Sequence, residues 1–129
     1  MKVRAGLAIA FALALAPLPS RATVAIVAGP GSYAVTYTTP VMVWSHDGGT
    51  TLQFVNADLQ AHDVVSDETR APGSNQWCPA GGGRCPLFFS DEIGIARVTE
   101  VKGLADVAPG VYTFYCSPHS WMVGALVVT

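Results

Sequence analysis

Short apolar and polar alternations, cut by turn residues and never lengthening into a helical period, constrain this chain more than any other feature. Thr51-Leu52-Gln53-Phe54-Val55-Asn56 alternates as a half-buried strand does. Tyr33 to Trp44, His62 to Ser66, Ile95 to Val101, Val111 to Cys116 and Ala125 to Thr129 read as further strands, rich in Val, Thr and Tyr. Between them stand Asp47-Gly48-Gly49, Ala71-Pro72-Gly73-Ser74-Asn75 and Ala108-Pro109-Gly110, which carry turn chemistry. Several such strands in one small domain predict an all-β fold, an antiparallel β-sandwich with one face of each sheet buried against the other. The stretch from Glu68 to Pro86 is the least regular and is expected to be a long insertion, with room for a short helix.

The first residues belong to a different problem. Lys2 and Arg4 precede an apolar run from Ala5 to Ala16, too short to span a bilayer comfortably, and Pro17 and Pro19 end it. Ser20-Arg21-Ala22 places small residues where a signal peptidase reads them. Residues 1–22 are therefore expected to be a signal peptide cleaved after Ala22. Residues 23–129 are expected to be the working domain, periplasmic or secreted and without stable membrane insertion. Cleavage removes Lys2, Arg4 and Arg21, leaving four basic residues against nine acidic ones, a net charge of −5 in place of −2. An acidic surface of that kind excludes nucleic acid, whose phosphates need basic groups.

Three cysteines in an exported chain are an odd number. If Cys78 bonds to Cys85 it closes the Gly-rich loop between them and leaves Cys116 alone; a second metal site at that pair would need further donors nearby. Cys116 has a more specific setting. Tyr115-Cys116-Ser117-Pro118-His119-Ser120-Trp121-Met122 offers a thiolate, an imidazole and a thioether on one tight loop between two expected strands. Two imidazoles, one thiolate and a weak axial Met form the donor set of electron-transfer copper sites. His62, at the start of a mid-chain strand, is placed to supply the second imidazole. Taken singly, His62 reads as a core histidine, Cys116 as a buried structural thiol and Met122 as core filling; together they read as ligands. His46, beside Asp47-Gly48-Gly49, reads as a turn residue.

Phe54-Val55-Asn56, then five residues, then His62-Asp63-Val64-Val65, and much later Cys116-Ser117-Pro118-His119-Ser120-Trp121-Met122, resembles the plastocyanin, pseudoazurin and amicyanin group of cupredoxins. The two residues between His119 and Met122 make the ligand loop most similar to that of amicyanin. The resemblance covers the chain from about Thr51 onward, with residues 68–91 unmatched. It implies a Greek-key β-sandwich holding one type 1 copper ion on His62, Cys116, His119 and Met122. It further implies a monomeric, non-enzymatic carrier of single electrons whose redox partner is a protein such as a cytochrome or a dehydrogenase. A periplasmic copper carrier or storage protein is the competing reading, although the chain has only three Met, one of them the initiator.

The same resemblance points to supporting residues. The position after the first histidine is usually Asn in such proteins, tying the two ligand loops together; here it is Asp63, whose carboxylate can accept bonds from backbone N–H groups instead. The Asp63 N–H is expected to reach the sulfur of Cys116, while Pro118 has no N–H to offer it. The edge of His119 is expected at the surface among Pro118, Leu59 and Trp121, with Trp121 equally able to pack inward. In the reduced state His119 is expected to take up a proton and leave the metal.

Overall fold

A computed structural model describes residues 23–129, and the expected signal peptide lies outside them. Nine strands are described: β1 (Thr23–Ala28), β2 (Val41–Trp44), β3 (Thr51–Asn56), β4 (Val65–Ser66), β5 (Thr69–Arg70), β6 (Cys85–Pro86), β7 (Arg97–Glu100), β8 (Gly110–Tyr115) and β9 (Val123–Val128). Two sheets, ordered β1-β3-β7 and β2-β9-β8-β4, face each other as a sandwich, and β5 and β6 form a separate ladder. Ile26, Leu52 and Phe54 from the first sheet meet Phe114, Leu126 and Val128 from the second, with Tyr37, Val64 and Phe88 filling the space between. No helix among the described residues is long and apolar enough to cross a membrane.

The all-β sandwich is as expected, but it is not wholly antiparallel. β1 runs parallel to β3, pairing Ile26 with Phe54, and β2 runs parallel to β9, pairing Val43 with Val127. β3 begins and ends where its alternation predicts, with Leu52, Phe54 and Asn56 pointing inward. β1 was not among the expected strands. After Thr23 its sequence, VAIVA, is continuously apolar, so no alternation marks it.

Tyr33 to Trp44 is a strand only over its last four residues. A 3-10 turn at Ser32–Ala34 follows Gly31, whose φ of 85° suits glycine. Thr38 and Thr39 then use their hydroxyls to accept the N–H groups of Gly29 and Val27, at 2.9 and 2.7 Å. Side chains thus take the place of a ladder before Pro40. The expected strand His62 to Ser66 shortens in the same way: only Val65 and Ser66 pair with β8, while His62 makes a two-bond bridge to Ile93.

The insertion contains no helix. Its ends pair as β5 and β6, with Arg70 opposite Cys85, and a disulfide joins Cys78 to Cys85. The Arg70 guanidinium pins the insertion to the body by donating to the carbonyls of Leu87 and Gly103 and to the carboxylate of Asp106.

Candidate metal centre

β8 and β9 form a hairpin whose last ladder pair is Tyr115 with Val123, which makes Cys116 and Met122 the next residues in register. The Cys116 N–H donates to the Met122 carbonyl at 3.1 Å, and two turns inside that closure complete the loop. The His119 N–H donates to the Cys116 carbonyl at 3.2 Å and the Met122 N–H to the His119 carbonyl at 2.8 Å. Pro118, without an N–H, sits where no backbone donor is needed. Three successive backbone bonds therefore determine how the loop presents its thiol, imidazole and thioether.

His62 reaches the same place from the other side. Asn56, buried at the end of β3, donates through Nδ2 to the carbonyls of Gln60 and Ile93, at 2.7 and 2.8 Å, and so shapes the loop that leads to His62. The Nδ1 atom of His62 lies 3.5 Å from Sγ of Cys116 and 3.0 Å from Nδ1 of His119, which is itself 3.6 Å from the sulfur. His62, Cys116 and Met122 are each 0% exposed. A first-row metal ion with bonds of about 2.0–2.3 Å to nitrogen and sulfur fits inside a triangle of that size. Three lone-pair donors aimed at one another across so short a gap suit a cation between them. A thiolate with two imidazoles favours copper among such ions.

Ordinary forces around the triangle set its electrostatics. Burial pushes the Cys116 thiol up to about 11, against the opposing pull of the Asp63 and His119 N–H groups. The Asp63 N–H thus pulls on the thiol in the direction expected, while the His119 N–H donates to the Cys116 carbonyl. The carboxylate of Asp63 accepts the Ser117 N–H at 2.6 Å, so an acid does tie the two ligand loops together. Tyr37, absent from the sequence reading, donates its hydroxyl to the Asp63 carbonyl. Burial, followed by the nearby Cys116 and Asp63, holds its phenol far above the usual tyrosine range.

Asp58 was also missed. Burial tends to raise its pKa, but bonds from His62 and from the N–H groups of Tyr33, Leu59 and Gly31 outweigh that and hold it well below the usual carboxylate range. The only sequence signal was an acid in a polar turn four residues before His62.

At the surface, the His119 ring is flanked by Tyr33 and Trp121, with ring centroids 4.9 and 5.4 Å away. Trp121 is 53% exposed and its indole N–H donates to the Tyr33 carbonyl at 2.8 Å, which decides between the two readings of that residue. Leu59 is exposed as expected. His46 packs on Trp44 and bonds to the Val107 carbonyl, away from the centre.

Comparison with known proteins agrees with this geometry. Residues 24–129 match the family of copper binding proteins, plastocyanin/azurin family. The plastocyanin of Prochlorothrix hollandica is 31% identical over 111 residues, spanning 84% of this chain and 75% of that protein. The chain spans little more than half, 55% and 56%, of the plastocyanins of Synechococcus sp. and Nostoc punctiforme that it matches. Among solved structures, a purple cupredoxin from Nitrosopumilus maritimus superposes with a TM-score of 0.58 at 25% identity, covering 81% of this chain and 98% of that one. Amicyanin from Paracoccus versutus shares the fold with a TM-score of 0.52 at 18% identity, covering 87% and 85%. With the family matched along nearly all the described residues and a thiol and two imidazoles converging in its interior, the chain belongs to the plastocyanin/azurin family of copper binding proteins, and copper is its cofactor.

Proposed function

We propose that this protein is an exported type 1 copper protein that carries single electrons between redox partners, its copper held by His62, Cys116, His119 and Met122. The observation that carries the reading is the triangle of Cys116 Sγ, His62 Nδ1 and His119 Nδ1, with edges of 3.0 to 3.6 Å. Bound copper would supply a one-electron Cu(II)/Cu(I) couple. The chain supplies constraint: a loop closed by three backbone bonds, a second loop tied to it through Asp63, and a packed core beneath both. Such a setting resists rearrangement when the charge of the site changes.

Supporting the inclusion of Met122 in the proposed set are its burial on the same loop and its backbone bonds to both Cys116 and His119. Four donors leave no obvious coordination position for a substrate, which argues against catalysis at the metal. Residues 1–22 have the composition of an export signal, and loss of their charges leaves an acidic surface. That surface suits a basic-patched partner such as a cytochrome or dehydrogenase by speeding encounter. The aromatic surface formed by half-buried His119 with exposed Tyr33 and Trp121 is the natural point of electron entry and exit.

Cyclic voltammetry of the copper-loaded protein tests the role. A reversible one-electron wave, with copper retained through repeated cycles, is the expected outcome. Colourless Cu(I) binding with release of the metal to an acceptor chelator would favour a copper carrier and overturn electron transfer.

A further inference from the structure

Asp58 is a buried acid, 5% exposed, with no place in the donor set. Its Oδ2 accepts from Nε2 of His62 at 3.0 Å and from the Tyr33 N–H at 2.8 Å. Its Oδ1 accepts from the N–H groups of Leu59 and Gly31, at 2.9 and 3.1 Å. A carboxylate has about four acceptor positions, and here four donors meet them.

Those bonds lead to both imidazoles. His62 is bonded directly. Gly31 and Tyr33 belong to the turn whose aromatic ring meets His119 edge-on and whose Tyr33 carbonyl accepts the Trp121 indole N–H. The loop carrying Asp58 does not depend on that side chain alone, because the Asn56 side chain accepts the Asp58 N–H at 2.9 Å and donates to Gln60 and Ile93. Most of the Asp58 carboxylate's bonding is therefore directed outward, to His62 and to the turn at residues 29–34.

We propose that Asp58 is a positioning residue for the copper site: it fixes the imidazole proton of His62 on Nε2, leaves Nδ1 facing Cys116, and anchors the Tyr33 turn against His119. The inference rests on the reading of His62 as a copper ligand. A ring nitrogen that donates to a carboxylate has a fixed tautomer and orientation, and its opposite nitrogen becomes the more basic donor. A negative charge behind His62 favours the more highly charged Cu(II), so its removal should raise the reduction potential.

The first test needs no metal and no substitution. In the full-length apoprotein with 15N-labelled histidine, at a pH where the imidazole is neutral, His62 should carry its proton on Nε2; a proton on Nδ1 overturns the proposal. Asp58→Asn keeps the shape and one carbonyl oxygen while removing the charge. It should give a mixture of His62 tautomers in the apoprotein and a higher midpoint potential in the copper form. Asp91→Asn, which removes a surface carboxylate paired with Lys102, is the control. Equal potential shifts in the two variants, or an unchanged His62 tautomer in a folded Asp58→Asn protein, would overturn the assignment. Should Asp58→Asn fail to fold, the tautomer in the unsubstituted protein decides. An Nε2-protonated His62 in a protein that binds no copper would instead sink the copper reading and leave the local hydrogen bonding intact.

Discussion

Cys116 illustrates how a single side chain serves the centre at some cost to itself. Its thiol is buried and its pKa raised to about 11, so the metal-free protein holds a proton where copper would bind. Because the folded value lies above that of the unfolded chain, this group's stabilising contribution to the apoprotein is complete below about pH 8.5 and is lost as pH rises toward 11. Copper must displace that proton, so binding is expected to release one proton near pH 8 and to tighten about tenfold per pH unit in that range. Calorimetric titration in buffers of different ionisation enthalpy measures the release, and binding with no proton released would contradict it. Cys116, His119 and Met122 could be proposed as donors because they share seven residues of sequence, and His62 because it would complete the set; the structure brings the thiol and the two imidazoles together. Asp58 and Tyr37 were not. Their hydrogen bonds are to Gly31, Tyr33 and the Asp63 carbonyl, partners 25 to 27 residues away and brought near only by folding.

Elements were legible where a half-buried face imposes alternation, as in β3, and where a hairpin sets its own register, as in β8 and β9. β1 escaped because a continuous apolar run has no period to read, and residues 33–40 because threonine hydroxyls and a tyrosine hydroxyl replace ladder bonds there. The Cys78–Cys85 bridge was foreseeable from the odd cysteine count, whereas the short ladder that accompanies it was not. Gly82 to Pro86 of the insertion line one groove of about 470 Å³ with Asp63 and Ser117. Replacing both Cys78 and Cys85 with Ser is expected to lower stability by about 2–3 kcal/mol through the freed loop entropy. The visible copper spectrum should be unchanged. Urea unfolding and absorption check the two halves, and a lost or shifted copper band would mean that the insertion shapes the site after all.

For the whole molecule, the sandwich brings two distant stretches of chain together: the loop after β3, which delivers His62, and the loop after β8, which delivers Cys116 and His119. Neither stretch makes a site alone. The core beneath them and the Asp63 tie between them give the cavity its shape. The most direct test is the absorption spectrum of the purified, copper-loaded, oxidised protein beside that of Cys116→Ser. An intense visible band from the copper–thiolate bond is predicted for the former, with loss of that band in the variant. A variant that keeps the same band, or an unsubstituted protein that binds copper without one, would contradict the account.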